Sequence, residues 1–282
     1  MPLISVLTPV HADRAEYLAE AGESLAGQEL PAGWELEWLV QEDGPESGLA
    51  AVARRFPFTR YQANGETLRV NIARNVALSR ANGSLVHVLD SDDLLLPGAL
   101  RTAVEAFDAH PRIHWVTAQA HDLLPDSSRR SFPAPIEPGL IEPGELTRLI
   151  LDSGKPAAPC AGLTARTGTV RAFGGWVATP RGGDLALVVA LAETTPGYLT
   201  PEVTWLYRRH PGQITGQAGW SRLQAESTAL IRQRIAALRG LGLHVAGEPA
   251  PLWRGVVTAV QAGVTSAAAD DRCDRTPSPE VL

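Results

Sequence analysis

The chain has 282 residues, 44% of them hydrophobic, enough for one large buried core with at most a small annex. Its 25 Lys and Arg stand against 31 Asp and Glu for a net charge of −6, which argues against a mainly electrostatic grip on nucleic acid. No apolar run approaches the roughly 18–20 residues that span a bilayer, and Cys160 and Cys273 give neither a disulfide framework nor a cysteine metal site.

In chain order, the first 120 residues alternate short apolar runs with helical spacing. A strand is expected over Leu3–Thr8 and a helix over Asp13–Ala26, with Ala15, Leu18, Ala19, Gly22 and Leu25 on one face. Trp34–Val40 reads as a strand, Gly48–Arg55 as a short helix, Phe58–Gln62 as a strand and Val70–Ser79 as a helix. Leu85–Leu89 is nearly all apolar, as a strand covered on both faces should be. A helix follows Pro97 to about Ala109, then a strand over Ile113–Thr117. This alternation predicts an α/β fold with a mostly parallel sheet and helices on both faces. From His121 to Gly144 five prolines and many polar residues predict a long loop or lid. Beyond it, helices are expected over Glu145–Asp152, Asp184–Ala192 and Ser221–Arg239, the last amphipathic. Strands are expected over Ala161–Arg166 and Tyr198–Tyr207. The small, charged stretch from Ser266 onward is expected to be disordered.

The chemistry concentrates where strands end, which is where open α/β sheets hold ligands. Leu85 to Leu89 runs directly into Asp90-Ser91-Asp92-Asp93. An Asp-x-Asp pair aims two oxygens at one small volume and suits a hard divalent cation; a solvated turn before the next helix has the same spacing. Glu42-Asp43 ends an earlier strand and fits either a hydrogen-bond acceptor for a base or ribose or a turn broken by Gly44-Pro45. Asn71, Arg74 and Asn75 share one helix face. Arg74 is a candidate partner for Asp43, for the Asp-x-Asp cluster or for a phosphate; an ordinary exposed helix face is the alternative reading of the same three residues.

Ser5 to Val10, Glu42-Asp43-Gly44, Ala73-Arg74-Asn75 and Leu89 to Asp93 stand in one order with fitting gaps. Together they resemble the family 2 glycosyltransferases of the GT-A fold, over roughly residues 3–215. The resemblance implies a nucleoside-diphosphate sugar donor, a UDP-sugar for preference. Thr8, Pro9 and Val10 would line the nucleotide, Asp43 with Glu42 would contact the base, and Asn71, Arg74, Asp90 and Ser91 would complete the donor site. It implies a divalent metal, Mn²⁺ or Mg²⁺, on Asp92 and His210, the latter within Tyr207-Arg208-Arg209-His210, where Arg208 or Arg209 would meet phosphate. Phe173-Gly174-Gly175-Trp176 followed by Gly183-Asp184 resembles the family's glycine turn and its later Glu-Asp pair, so Asp184 is the implied general base; an N-cap is the plainer role for the same residue. Gly183 stands where the family usually carries Glu. Trp176 and Trp220 suit either an acceptor pocket or the core.

The resemblance divides the chain into a nucleotide-sugar-binding half (1–120), an acceptor-binding and catalytic half (121–219), a helical annex (220–265) that is a candidate for homodimerisation, and the tail (266–282). The expected enzyme is cytoplasmic and inverting, and acts on a small-molecule acceptor. Two rivals are a non-catalytic nucleotide-sugar-binding scaffold and a nucleotidyltransferase. The second fits poorly, because residues 8–16 contain no glycine and Arg14 as their one arginine.

Overall fold

The structure, a computed structural model, describes residues 1–131, 136–153, 160–179, 181–213 and 223–243. Trp220, Cys273, the annex beyond 243 and the tail lie outside the described residues. The elements in order are β1 (Leu3–Val10), α1 (Ala15–Ala26), β2 (Glu35–Glu42), α2 (Leu49–Ala53), β3 (Thr59–Ala63), α3 (Val70–Ser79), β4 (Leu85–Val88), β5 (Leu94–Leu95) and α4 (Ala99–Ala109). Then come β6 (Trp115–Leu123), β7 (Arg129–Ser131), β8 (Gly139–Ile141), α5 (Glu145–Ser153), β9 (Thr164–Arg166), α6 (Thr167–Ala172), α7 (Gly183–Thr194), β10 (Gly197–Arg208) and α8 (Gln224–Gly240).

One sheet carries the fold, in the order β3-β2-β1-β4-β9-β6-β10-β5. Strands β3, β2, β1 and β4 are all parallel, so Val10, Glu42 and the residues after Val88 emerge at one edge. Strand β9 runs antiparallel between β4 and β6, while β6 and β10 are again parallel. The period of two sorts β1 between two cores: Ile4 and Val6 join α1 and α4 through Leu18, Leu25, Leu100 and Phe107. Leu7 joins the opposite layer with Ala77, Leu187, Leu191 and Ile231. Helix α7 is apolar almost all round and nearly every residue is buried, as befits a helix covered by neighbours on all sides. Helix α8 lies over it and buries Ile231 and Ile235.

The expected loop from His121 is in part sheet. Strand β6 continues to Leu123, β7 folds back on it, and β8 pairs with β10. The polar strand end is held because the Asp122 carboxylate, 3% exposed, is closed from two sides by Arg130 and Arg209. Two short elements, β5 and α6, were not expected from the sequence; β5 has two residues, and α6 buries only Thr167 and Val170.

Away from the strand-end edge, Glu37 forms a buried acid node. Ser5 Oγ donates to it at 2.6 Å, Asn82 N at 2.7 Å and Arg60 Nη1 at 2.7 Å. Desolvation pushes its carboxyl up, but the donors outweigh it and the net shift is downward. A lowered folded pKa contributes stability above the unfolded carboxylate pKa and loses it as pH falls through the folded value. Glu37→Gln is therefore expected to cost about 1–3 kcal/mol at pH 7. Denaturant melts should show that cost shrinking below about pH 4, the ordinary Glu range; a cost unchanged at low pH would count against the ionised node.

Candidate active site

The site is assembled at the strand-end edge by the start of α3. Asp43, just past β2, accepts the backbone N–H groups of Leu68 (2.7 Å) and Arg69 (3.1 Å) and the Asn64 amide (3.1 Å), all at Oδ1. That carboxylate takes up two of the backbone donors that lead into the helix. Arg69 adopts φ +76° there, a conformation rare for a residue with a side chain. Helix α3 is thereby launched so that Asn71, Arg74 and Asn75 face the segment from Trp176 to Asp184.

Each of the three grips that segment. The Asn75 side chain donates to Trp176 O (2.7 Å) and accepts from Trp176 N (2.8 Å), pairing with its backbone as a neighbouring strand would. Gly175 stands at φ +68°, and a Cβ there would meet Asn75 Oδ1 at 2.2 Å. Asn71 donates to Thr179 O at 3.4 Å. A Cβ at Gly183 would come within 2.2 Å of Asn71 Nδ2 and 2.6 Å of Val177 O, so this packing requires glycine where the resemblance implies Glu. Arg74, 2% exposed, places Nη1 on Asp184 and Nη2 on Asp90. Its guanidinium lies 6.0 Å from the Trp176 ring centroid.

Asp184 is the second residue of α7, and it pairs with Arg74; α7 has no side-chain cap. Its side chain is 43% exposed, yet desolvation raises its carboxyl above the ordinary range. The Arg74 guanidinium pulls it down and the Asp90 charge pushes it up again. The Cys160 thiol and the Trp176 indole face the same carboxylate. Trp176 itself is buried at 1% exposure, so it floors the site instead of lining an open pocket.

The second cluster follows β4. Asp92 Oδ2 and His210 Nε2 are 2.9 Å apart, which brings together the two residues expected to hold metal. Asp93 is buried, and desolvation with the charges of Asp90 and Asp92 raises its carboxyl well above the usual range. It accepts Arg208 N at 3.0 Å. Arg208 also donates from Nε to Asp92 O at 2.8 Å and pairs with Glu20. The Tyr17 ring, on α1, sits 5.0 Å from the His210 ring and 4.8 Å from Arg208 Cζ. Arg14 ties down the end of this turn by donating to Gly212 O at 2.6 Å. Tyr17 and Arg14 thus support the His210 turn, a role the sequence pattern around them does not signal.

Other expected donor residues are turned inward. The Thr8 hydroxyl is fully buried and accepts from Trp38 Nε1 at 2.8 Å. Glu42 is fully buried, its carboxylate taken by Tyr61 and Ser47. Pro9 pairs with Gln41 in the sheet, Val10 is buried, and Ser91 is 8% exposed. Arg209 is engaged with Asp122. Among the described residues no group of three or more His, Cys, Asp or Glu is arranged to hold a metal. Asp92 and His210 still fit one, because hard cations at phosphate sites take one or two protein donors and complete their shell from the phosphates and water.

A parallel half-sheet with Asp43, Asp90 and Asp92 at its strand ends, opposite Asp184 at the head of a buried helix, defines an α/β fold of the GT-A type. The chain belongs to the family described as Glycosyl transferase family 2, whose pattern matches residues 5–149. The O-antigen biosynthesis protein RfbC of Myxococcus xanthus is 26% identical over 263 residues, 89% of this chain and 19% of that protein. The minor teichoic acid biosynthesis protein GgaB of Bacillus subtilis (strain 168) is 30% identical over 109 residues, 38% of this chain and 12% of that protein. Among solved structures, S. aureus TarS 1–349 in complex with UDP-GlcNAc superposes with a TM-score of 0.62 at 18% identity, covering 85% of this chain and 72% of that one. The chain spans between 12% and 33% of the length of the curated relatives it matches. Among the described residues no helix is long and apolar enough to cross a membrane.

Proposed function

We propose that this chain is an inverting glycosyltransferase that moves a sugar from a nucleoside-diphosphate sugar, a UDP-sugar for preference, to a hydroxyl or amine. The observation that carries the reading is the pairing of Asp184 with Asp90 through one buried arginine, which sets a partly open carboxylate beside the donor carboxylates. In this reading Asp184 accepts the acceptor's proton as the acceptor oxygen or nitrogen bonds to the anomeric carbon. The bond from that carbon to the diphosphate oxygen breaks with its electron pair, and one displacement inverts the centre. A double displacement would need a second nucleophile placed at the sugar.

Asp43 takes the base and Asp90 the ribose and sugar, while Asp92 and His210 would hold Mn²⁺ or Mg²⁺. A metal there supplies compensation for the charge on the departing diphosphate. The names of RfbC and GgaB favour a cell-surface polysaccharide as acceptor over the small molecule expected from the sequence. A cytoplasmic setting fits Cys160, a buried free thiol.

A thermal-shift series with UDP, GDP and dTDP, each with Mn²⁺ or with EDTA, tests the donor site. A ligand at 100 times its Kd adds about 2.7 kcal/mol, so the matching nucleotide should raise Tm by several degrees with Mn²⁺. Asp92→Asn should remove the metal-dependent part of that rise. A rise that EDTA leaves intact would count against the metal pair, and no rise with any of the three, in folded protein, would favour a degenerate site that has lost nucleotide binding or a donor outside the series.

A further inference from the structure

We propose that Arg74 is a positioning residue for the base, and not a ligand of the donor. This rests on the reading of Asp184 as the general base. A residue that binds diphosphate must present its nitrogens to solvent or substrate, yet Arg74 is 2% exposed and each terminal nitrogen is already engaged with a protein carboxylate, Nη1 on Asp184 and Nη2 on Asp90. Its Nε is buried with no hydrogen-bond partner among the described residues, and the side chain is held by those two carboxylates, with the Trp176 ring 6.0 Å away. The Trp176 backbone is fixed in turn by two hydrogen bonds exchanged with the side chain of Asn75, one residue further along α3.

The guanidinium is planar and rigid, so the carboxylate oxygens on its two terminal nitrogens are held at a set separation. One of them, Asp90, follows the nucleotide-side strand β4, and the other opens α7 in the second half of the fold. Arg74 therefore gauges the distance between the donor carboxylate and the base. A lysine keeps the charge but, as a point donor, cannot span both partners in the same geometry.

The test measures UDP release from UDP-GlcNAc with Mn²⁺, and UDP affinity by calorimetry, for wild type, Asp184→Asn, Arg74→Lys, Arg74→Gln and the double variant Arg74→Gln/Asp184→Asn. Misplacing a base by about an ångström costs on the order of 10²-fold, so both Arg74 variants should lose about that much kcat, while UDP affinity changes by well under tenfold, since Asp90 loses one partner but Asp43 and Asp92 keep theirs. Adding Asp184→Asn to Arg74→Gln should cost little more than the worse single change, because both act through one proton transfer. If Arg74→Gln does not fold, Arg74→Lys carries the comparison, with its melting curve confirming a native fold.

A tenfold or greater loss of UDP affinity with kcat retained would make Arg74 a donor ligand and overturn the proposal while leaving glycosyl transfer intact. Losses that multiply in the double variant would also overturn it. Full turnover in Asp184→Asn alone would overturn the reading of the base, and the proposal with it. That failure is distinguishable, because it appears before any Arg74 variant is compared.

Discussion

Asp184→Asn is expected to lower kcat by about 10²–10⁴-fold, the span of a positioned general base, with UDP affinity unchanged. The substitution is nearly isosteric, removes the only proton acceptor that Asp184 supplies, and leaves Asp43, Asp90 and Asp92 in place. The pH profile gives a second check. The Asp184 carboxyl lies above the ordinary carboxylate range, and the base works only when ionised, so kcat should fall as pH drops through that raised value. The asparagine variant should lose that acid limb and keep a flat residual rate. Full turnover with the acid limb intact would move the base elsewhere.

The second large effect concerns stability. Gly183→Glu would install the residue type that the resemblance implies, yet it should destabilise the protein. The new Cβ would meet Asn71 Nδ2 at 2.2 Å and Val177 O at 2.6 Å. Overpacking of this kind typically costs about 1–3 kcal/mol, and here it also dislodges the first turn of α7 and the Asp184 that stands on it. Adding Asn71→Ala should recover only part of the loss, since the Val177 carbonyl belongs to the backbone and stays. Urea melts of the wild type, the single variant and the double variant measure this. A Gly183→Glu variant as stable as wild type would mean that the α3–α7 approach opens at no cost.

Much of this was legible in the chain. Helix α3 has the expected bounds, because Val70 to Ser79 is periodic and its flanks are polar. The acidic motif falls just after a fully buried strand, as the run from Leu85 demanded. What the sequence withheld lies in long-range closure. Nothing near Glu42 says that Tyr61, on the neighbouring strand β3, will take its carboxylate inward. The chain from His121 reads as loop because of its five prolines and polar residues, yet β6 runs on to Leu123, with arginines 8 and 87 residues further on closing over the Asp122 charge. Arg74 and Asp184 are 110 residues apart; helix spacing put Arg74 on a face with Asn71 and Asn75 but could not say what that face meets.

At its far end α7 is fastened a second time. Glu193, buried at 7% exposure, takes the Arg239 guanidinium from α8 at 2.7 Å and the hydroxyl of Thr147 from α5. With Asp184 on Arg74 at the head, the helix is pinned at two points separated by about two and a half turns, on opposite sides of its axis. Its length is thereby under a phase constraint. Deleting one residue between Ala186 and Ala192 would rotate one pin by about 100° relative to the other, and both could not engage. Chains built on this plan can vary the apolar residues inside α7 by volume, but an insertion or deletion within it breaks the register between Asp184 and α8.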